Sequence, residues 1–511
     1  MPGWLFLILL VGLGLRLLGW QWGQAYSHFS QGDGLEAYMV AVDYCQGEPR
    51  AQYIGQPNYN AHSKLPGPLW TMFGALGLRV GGSIHGVVVE MILLNTALIF
   101  VVFLLAERTV GRPASFWATA LTAVLPFPVY YSVAVYNPNV MAFLGALLFL
   151  ALWSAATKPK SMHIFWVGVI LLAMPQFHMS GLMLIPTVVA VLWLARARVS
   201  VPWLAAGLLA GLGLYVPYVR GEIANGWQNT HGMMSGGGGH SWDGLKAFTL
   251  PINLLLNWVP QWNRTFADYK EFGRACFGGF PVLVIINLLS VIVGAFLVAG
   301  AFLQIRTAMR EFWSAPRRTW QSAPGRLFHV VLIVIPLFLV LVSGKPFHAR
   351  YGLVLMAPIL ILAGSAAARW TASGRFGRQF RMALITLLVV NVWFMAAFYH
   401  HQNTRIEQGE NFVASFHQLE QVYQRLKAHA GPGRSVRVDI TTYIQGFPRS
   451  DEVHREAGTI RRYVDVREKE IGSRAEGVQA PLTYELLRAD QVASGDPRIA
   501  YLAHGIAVVA P

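Results

Sequence analysis

Long apolar runs recur throughout the first 400 residues, and they limit the possible folds of this chain more than any other feature. Only 13% of the 511 residues are charged and 54% are hydrophobic, which excludes a soluble globular enzyme and a disordered protein. The chain is therefore predicted to be an all-α polytopic membrane protein with about eleven transmembrane helices. The predicted spans lie at 4–20, 86–106, 114–131, 139–156, 162–176, 180–195, 202–219, 279–304, 327–343, 351–368 and 382–399.

The basic residues fall in alternate connections between these runs. Five connections hold fifteen Lys and Arg residues and only two acids, Glu107 and Glu311. By the positive-inside rule we expect these connections to be cytoplasmic and the long segments 23–85 and 220–278, which we call the first and second outer loops, to lie on the opposite side. The net charge of +15 is thus a mark of membrane topology, and no nucleic-acid partner is expected.

If the stretch from Pro66 to Val80 were counted as a transmembrane span, the predicted topology would change and the first long loop would be cytoplasmic. Only fourteen residues separate Lys64 from Arg79, which is too few to cross about 30 Å of hydrocarbon, and they include three glycines and two prolines. We expect a helix that lies along the membrane interface.

The tail differs in character from the rest of the chain. Apolar residues follow a helical period over 412–426, alternate as in a half-buried strand over 436–440, and form a last apolar strand at 506–509. The sequence predicts a transmembrane domain at 1–399 and a small extracytoplasmic α/β domain at 400–511. Cys45 and Cys276 both fall on the outer side, where a disulfide and two free thiols are equally open.

Two carboxylates lie three residues apart immediately beyond the first span, at Asp33 and Glu36. At the start of a helix both can project from one face. An apolar surrounding would raise the pKa of such a carboxyl toward the working pH and suit it to act as a general base. The alternative is that Asp33 caps the helix and Glu36 occupies its first turn.

The first outer loop also contains a cation just before a proline-stiffened turn. The segment runs from Tyr59 through His62 and Lys64 to Trp70, and it places Lys64 where it can meet a lipid phosphate. A snorkelling lysine is the alternative. His62 suits a metal ligand or an ordinary polar position in a loop.

A second group of cations enters the membrane at the start of the tenth predicted span, at Lys345, His348 and Arg350 beside Tyr351. Such a group suits a phosphate or diphosphate, and Arg350 can hold it with two hydrogen bonds. Anchoring of the helix end among the headgroups is the alternative.

Further polar groups lie near the outer side of the bundle. Glu90 is a candidate functional residue within a span, since ionisable groups at membrane depth usually face the bundle interior. The candidates for lining an acceptor cavity are His178, Asn137, Asn139, His240 and Asp243. Helix-to-helix hydrogen bonding is the alternative for His178, and a plain flexible loop around Gly236–Gly239 is the alternative to an acceptor lid.

Taken together, these residues resemble the GT-C class of integral-membrane glycosyltransferases, in particular the bacterial branch related to protein O-mannosyltransferases and lipid A aminoarabinose transferases. The resemblance covers the first 400 residues in order: one span, an acid just after it, a Lys and Pro-Pro-Leu-like turn at 64–69, and Arg350 and Tyr351 before Pro358. Relatives often carry an acid after the proline where this chain has Asn139.

The resemblance implies a transferase that moves a sugar from a polyprenyl-phosphate donor to a lipid, glycan or protein acceptor at the outer face of a bacterial inner membrane. It puts the catalytic base on Asp33, with Glu36 as a supporting acid. Donor phosphate binding falls to Lys64, Arg350, His348 and Tyr59. Some relatives bind a divalent metal, but no convincing ligand set is visible in this sequence.

Two other classes of protein compete with this interpretation. A transporter or lipid flippase would use the bundle as a pathway, and inverted repeats or broken helices would favour it. A catalytically inactive assembly protein would account for Asn139. The concentration of ionisable residues at one face favours chemistry at the membrane interface.

Overall fold

The structure is a computed structural model. It describes residues 2–21, 33–56, 63–235, 247–255, 266–343, 349–408, 416–431, 434–439, 460–465, 467–468, 479–488, 499–503 and 506–509. Within these residues the chain is almost entirely helical up to residue 430. The helices are α1 (Gly3–Gln21), α2 (Asp33–Cys45), α3 (Leu69–Gly81), α4 (Ile84–Thr109), α5 (Arg112–Val124), α6 (Pro126–Tyr131), α7 (Met141–Thr157), α8 (His163–Phe177), α9 (Leu184–Leu194), α10 (Val201–Gly213), α11 (Val216–Ala224), α12 (Gln228–Ser235), α13 (Leu250–Leu255), α14 (Phe266–Phe277), α15 (Phe280–Ser314), α16 (Pro316–Ser322), α17 (Pro324–Ser343), α18 (Met356–Thr371), α19 (Gly374–Gln408) and α20 (Phe416–Ala430).

Every predicted span coincides with helix. Seven helices in the described part of the chain are long and apolar enough to cross a membrane, or eight if the bent pair α10 and α11 forms one span. The other three predicted spans are built from shorter or interrupted helices, at 114–131, 162–176 and 180–195. The chain is thus a multi-pass membrane protein, as its sequence predicts.

Glycines allow several of these helices to approach closely, as is common inside membranes. A Cβ added to Gly207 of α10 would lie 2.3 Å from the carbonyl oxygen of Phe165 in α8. A Cβ added to Gly364 of α18 would lie 2.6 Å from the backbone nitrogen of Ala118 in α5. Larger residues at these positions would force the helix pairs apart.

Arg16 is a fully buried cation within α1. Its guanidinium donates to the carbonyl oxygen of Gly12 at 2.7 Å, and to those of Ala123 and Thr122 at 3.3 and 3.4 Å. The last two carbonyls belong to the final turn of α5, where helical carbonyls have no partner within the helix. The charge that interrupts the first apolar run therefore binds the end of a second helix.

The helix expected between Pro66 and Val80 is present as α3. It ends at Gly82, whose φ of +69° is the left-handed conformation typical of a helix C-terminus. The chain then turns back at once into α4, so that Gly77 and Gly81 of α3 lie against the first turn of α4 around Gly86 and Val87. At thirteen residues α3 is too short to span a bilayer.

The tail contains the expected mixture of helix and strands. Four strands, β1 (Arg434–Asp439), β2 (Gln479–Arg488), β3 (Ile499–Ala503) and β4 (Ile506–Val509), form one sheet in the order β1-β2-β4-β3. The β1 strand pairs parallel to β2, and the other two pairings are antiparallel. The amphipathic helix α20 buries Leu419, Val422, Tyr423 and Leu426. We call residues 416–509 the C-terminal α/β region.

A network of charged side chains links α20 to residues 460–468. Glu420 accepts hydrogen bonds from Tyr463 and from Arg467, the latter at 3.0 Å. Glu468 accepts a hydrogen bond from Tyr423 at 2.7 Å and forms an ion pair with Lys427 at 3.0 Å. Burial raises the pKa of the Glu420 carboxyl, but the hydrogen bond from Tyr463 and the charge of Arg467 outweigh it, so that this pKa lies below its ordinary value.

The C-terminal α/β region contacts the first outer loop through Tyr463. The rings of Tyr463 and Tyr38 of α2 have their centroids 6.4 Å apart, and both side chains are buried. Burial raises the pKa of the Tyr463 hydroxyl well above its ordinary value. The contact joins the tail to the helix that begins at Asp33.

Cys45 and Cys276 are both free thiols. They have different neighbours: the thiol of Cys45 approaches the carbonyl oxygen of Ala75, and that of Cys276 approaches the carbonyl oxygen of Ala397, each at 3.7 Å. Burial raises the pKa of Cys276, which lowers its reactivity. Of the two alternatives open from sequence, the structure contains the free thiols.

Candidate functional site at the outer loops

Helix α2 carries the two acids for which the sequence predicts a catalytic role. Asp33 is its first residue, and Glu36 follows three residues later on a partly buried face. The neighbouring Leu35 and Tyr38 are almost fully buried, which fixes the rotation of the helix. The Asp33 side chain lies outside the described part of the structure, so its role as a base stays a prediction.

The turn that carries Lys64 is held from two sides. Its backbone pairs with an earlier part of the loop, since Gly55 donates to Leu65 at 3.0 Å and Leu65 donates to Gln56 at 3.0 Å. The indole of Trp70 then donates to the side chain of Gln56 at 2.9 Å. These bonds fix the backbone on both sides of the Lys-Leu-Pro-Gly-Pro-Leu turn.

Gly67 brings this turn against the end of α8. Its φ of +126° is unfavourable for other residues. A Cβ at this position would lie 2.1 Å from the side-chain oxygen of Gln176. The side-chain nitrogen of Gln176 donates to the carbonyl oxygen of Leu214 at 3.1 Å. Gly67, in the middle of the motif, thus permits the contact with Gln176. The two prolines beside it do not account for this contact.

Asn229 from the second outer loop holds the backbone of Lys64 through both the oxygen and the nitrogen of its side-chain amide. The Lys64 N–H donates to the side-chain oxygen of Asn229 at 2.6 Å, and the Asn229 amide donates back to the Lys64 carbonyl oxygen at 3.1 Å. The side chain of Asn229 therefore acts like a neighbouring β-strand. Lys64 is fixed by a residue 165 positions away.

Glu222 in turn fixes Asn229. This carboxylate is only 1% exposed. It accepts hydrogen bonds from the backbone N–H of Thr230 at 2.7 Å and of Asn229 at 3.4 Å, in the first turn of α12. A negative charge there satisfies free N–H groups and matches the helix dipole.

The hydroxyl of Tyr218 completes this arrangement. It lies 2.8 Å from the hydroxyl of Thr230 and accepts a hydrogen bond from the Asn229 amide at 3.2 Å. We call Tyr218, Glu222, Asn229 and Thr230 the second-loop clamp. The clamp ties the two outer loops together at Lys64.

Residues 176–178 connect the two segments for which the sequence predicts phosphate binding. Gln176 lies against Gly67, three residues after Lys64. His178 lies against Tyr351, with ring centroids 4.8 Å apart, next to the backbone of Arg350. The side chain of Arg350 is outside the described part of the structure. The Lys64 turn and the 349–355 turn nevertheless both contact this one short stretch.

The candidate cavity-lining residues near this stretch make local hydrogen bonds. His178 lies 2.8 Å from the hydroxyl of Ser180 through its Nδ1. The amide of Asn137 donates to the carbonyl oxygen of Phe177 at 2.8 Å. Asn139, only 1% exposed, donates to the carbonyl oxygen of Ala134 at 2.9 Å. Asn137 thus supports the backbone that presents His178, and a role in acceptor binding stays a prediction for all three.

Glu90 faces the interface helix and not the bundle centre. Its carboxylate lies beside Gly77 of α3, where a Cβ would approach its Oε2 atom to 2.6 Å. Five other predicted positions, Tyr59, His62, His240, Asp243 and His348, lie outside the described residues. Among the residues that the structure describes, no group of three or more His, Cys, Asp or Glu side chains could hold a metal ion.

An apolar cavity of about 380 Å³ opens between α13, α15, α17 and α18. Its walls include Phe248, Phe302, Phe338 and Leu362. A cavity of this size and character suits a hydrocarbon chain.

The overall architecture can be compared with solved structures, although the sequence matches no protein-family model and no curated protein. The structure of ArnT from Cupriavidus metallidurans bound to undecaprenyl phosphate aligns with a TM-score of 0.57 at 15% identity, over 99% of this chain and 98% of that chain. The same protein in the apo state gives a TM-score of 0.55 at 14% identity, over 94% and 93%. The Archaeoglobus fulgidus oligosaccharyltransferase in complex with Zn and sulfate gives 0.50 at 13% identity, over 95% of this chain and 68% of that chain.

The fold is therefore that of the GT-C membrane glycosyltransferases, as the resemblance in sequence implies. Among the solved structures it is similar over its whole length to ArnT, a lipid A aminoarabinose transferase. At these identities the likeness concerns the fold, and the chemistry of this chain has to be argued from its own residues.

Proposed function

We propose that this protein transfers a sugar from a polyprenyl-phosphate donor to an acceptor at the outer face of a bacterial inner membrane, with inversion at the anomeric carbon. The observation that carries the proposal is the alignment of 99% of the chain with a structure bound to undecaprenyl phosphate. The second-loop clamp adds support, because it fixes the backbone of Lys64, the residue to which the proposal assigns the donor's phosphate.

The first step of the proposed mechanism is binding of the donor. The ammonium group of Lys64 and the guanidinium of Arg350 neutralise the phosphate, with His348 and Tyr59 as further contacts. The apolar cavity between α13, α15, α17 and α18 takes part of the prenyl chain. The cations also stabilise the negative charge that develops on the phosphate as it leaves.

The second step is a single displacement. The acceptor's hydroxyl or amine attacks the anomeric carbon, the bond from that carbon to the phosphate oxygen breaks, and polyprenyl phosphate departs with the bonding electrons. Asp33 takes the proton of the attacking group. Glu36, on the same face of α2, supports it. The acid–base step is expected to contribute roughly 10²–10⁴-fold to the rate.

The central experiment replaces Asp33 with Asn in the full chain and measures transfer of a labelled sugar from polyprenyl phosphate in membranes. We expect a folded protein with at least about a hundredfold loss of transfer. Asp465→Asn, a change of the same kind in the C-terminal α/β region, is the matched control and should keep full transfer. Full turnover by Asp33→Asn would remove Asp33 from the mechanism.

A second candidate function is flipping of a lipid-linked sugar across the bilayer. The 43° bend between α10 and α11 favours it, since broken helices are common in transporters. A flippase needs no base, so Asp33→Asn would leave its activity intact. Movement of the labelled donor between leaflets, with no transfer to an acceptor, would support this alternative over the first.

A further inference from the structure

The turn between α18 and α19 carries positive charge that the proposed function does not use. Four arginines lie in and around it: Arg369, Arg375, Arg378 and Arg381. The chain contains no Asp or Glu between Glu311 and Glu407. The positive-inside rule predicts that this turn is cytoplasmic, on the side opposite the outer loops.

The arginines at the start of α19 have different roles. The guanidinium of Arg381 donates to the carbonyl oxygen of Thr371 at 3.1 Å, at the end of α18, where carbonyl groups have no partner within the helix. Arg375 and Arg378 are exposed, and among the described residues no acid forms an ion pair with either of them. Their charges are therefore not neutralised within the described part of the protein.

Arg375 and Arg378 share one face of α19 with apolar residues that point outward. Met382, Ile385 and Val389 are 59%, 42% and 65% exposed. At 3.6 residues per turn, these five positions lie within roughly 80° around the helix. Because α19 is long and apolar enough to cross a membrane, hydrocarbon chains cover its apolar face. The face thus presents two positive charges followed by an apolar strip, which matches a phosphate headgroup followed by an acyl chain.

Aromatic rings lie next to the two arginines. Phe376 and Phe380 stack with centroids 6.1 Å apart, and Phe296 of α15 packs on them with centroids at 5.8 and 5.7 Å. Trp370 at the end of α18 contacts Phe376 at 6.0 Å. This packing fixes the first turns of α19, so that the two arginines are held three residues apart on a rigid helix. Two guanidinium groups at this spacing can bind one phosphate together.

We propose that Arg375 and Arg378 bind the phosphate of an anionic phospholipid in the cytoplasmic leaflet, whose acyl chains lie on the apolar strip of the same face. Two positive charges without an acid favour a headgroup with a net negative charge. They favour phosphatidylglycerol over phosphatidylcholine, because the ammonium group of the latter is repelled by the arginines. A soluble phosphate would leave the apolar strip without a role.

The test uses native mass spectrometry of the full chain, released from nanodiscs of phosphatidylcholine that contain a minor share of phosphatidylglycerol. We expect the protein to retain phosphatidylglycerol in preference to phosphatidylcholine. The double variant Arg375→Gln with Arg378→Gln should lower the affinity for phosphatidylglycerol about tenfold or more, because both cations near the membrane surface are removed.

The matched control is Arg196→Gln with Arg198→Gln. This pair removes the same charge from another exposed connection that is expected to be cytoplasmic, but both arginines lie in the turn after α9 and not on a helix face. The control should retain phosphatidylglycerol as the unchanged protein does. Equal retention of the two lipids by the unchanged protein, or equal losses in the two double variants, would overturn the proposal.

Two competitors identify the source of the phosphate. Inorganic phosphate should not displace phosphatidylglycerol, and polyprenyl phosphate should bind no better than phosphatidylglycerol does. Displacement by inorganic phosphate would indicate a site for soluble anions, and preferential binding of polyprenyl phosphate would assign the arginines to the donor lipid. Either result would overturn the proposal. The measurement involves no sugar transfer, so its outcome is independent of the proposed function.

Discussion

Charged side chains have different roles in the C-terminal α/β region and at the outer loops. In the C-terminal region Glu420 and Glu468 each bind a cation and a tyrosine hydroxyl, so that the charges hold the fold together. At the outer loops Glu222 binds backbone N–H groups of α12, and the neutral amide of Asn229 holds Lys64 by its backbone. The described hydrogen bonds between the clamp and Lys64 involve only the Lys64 backbone and leave its ammonium group out. Charges thus stabilise the fold in the first region, whereas in the second a neutral amide holds the residue that carries the charge.

The largest effect is expected from filling the contact between the Lys64 turn and α8. Gly67→Ala would place a methyl group on Gln176 and force a residue other than glycine into a φ of +126°. We expect a loss of about 3 kcal/mol in the free energy of unfolding from strain and overpacking together. Thermal unfolding of the purified protein would measure it.

Gly82→Ala is the control for Gly67→Ala, because Gly82 also has a positive φ, of +69°, but has nothing within 4 Å of an added Cβ. It should cost only about 1 kcal/mol. Equal losses for the two variants would show that the Gln176 contact does not fix the turn.

The next effect is expected from the buried acid of the clamp. Glu222→Ala removes the acceptor for two N–H groups in the first turn of α12 and should cost about 2 kcal/mol or more. Because Asn229 is then released, the Kd for polyprenyl phosphate should rise as well. Glu222→Gln keeps one acceptor oxygen, so its stability and its Kd should lie between those of the unchanged protein and of Glu222→Ala. An unchanged Kd in Glu222→Ala would separate the clamp from donor binding.

A smaller and more selective effect is expected at Asn229 itself. Asn229→Asp retains the acceptor for the Lys64 N–H but places a carboxylate oxygen against the Lys64 carbonyl oxygen. We expect donor affinity to fall about tenfold and kcat to fall with it, since Asn229 positions Lys64, which both binds the donor's phosphate and stabilises the charge that develops on it. Steady-state kinetics with varied donor would test this. An unchanged KM would contradict a positioning role for Asn229 in donor binding.

The smallest effect on transfer is expected from the C-terminal network, and its effect on stability should depend on pH. Because the folded-state pKa of Glu420 lies below its ordinary value of 4.5, its contribution is fully present above about pH 4.5 and is lost as the pH falls below that value. Glu420→Gln should therefore lower the unfolding temperature at pH 7 and have little effect at pH 3. Donor affinity at pH 7 should not change. A stability difference that persists unchanged at pH 3 would show that another interaction is responsible.

The sequence predicts the helical bundle well, because the length and the period of an apolar run are set by residues that are neighbours in the chain. The helix after Asp33, the interface helix and the last strand at 506–509 all appear where their patterns place them. The pattern at 114–131 does not show that the helix is interrupted: the chain breaks at Leu125 before Pro126, and α5 and α6 follow one another there.

The site could be predicted only in part. The Lys64 turn has a local motif, but its partner Asn229 lies in a loop without one and is reached only by folding. Glu222 could be noticed in the sequence as an acid at the end of an apolar run. The neighbouring residues do not show that it accepts hydrogen bonds from α12. Long-range hydrogen bonds between loops are set by tertiary structure, and a periodic pattern in the sequence does not predict them.

The bond between Arg16 and the end of α5 has a consequence for the order of biosynthesis. The first helix is synthesised before α5, and an arginine costs up to about 2.5–3.5 kcal/mol for insertion, the value at the centre of a helix. The carbonyl groups of Thr122 and Ala123, which offset this cost, are made more than a hundred residues later. We expect α1 to be held weakly in the membrane at first, and its orientation to become permanent when α5 joins it.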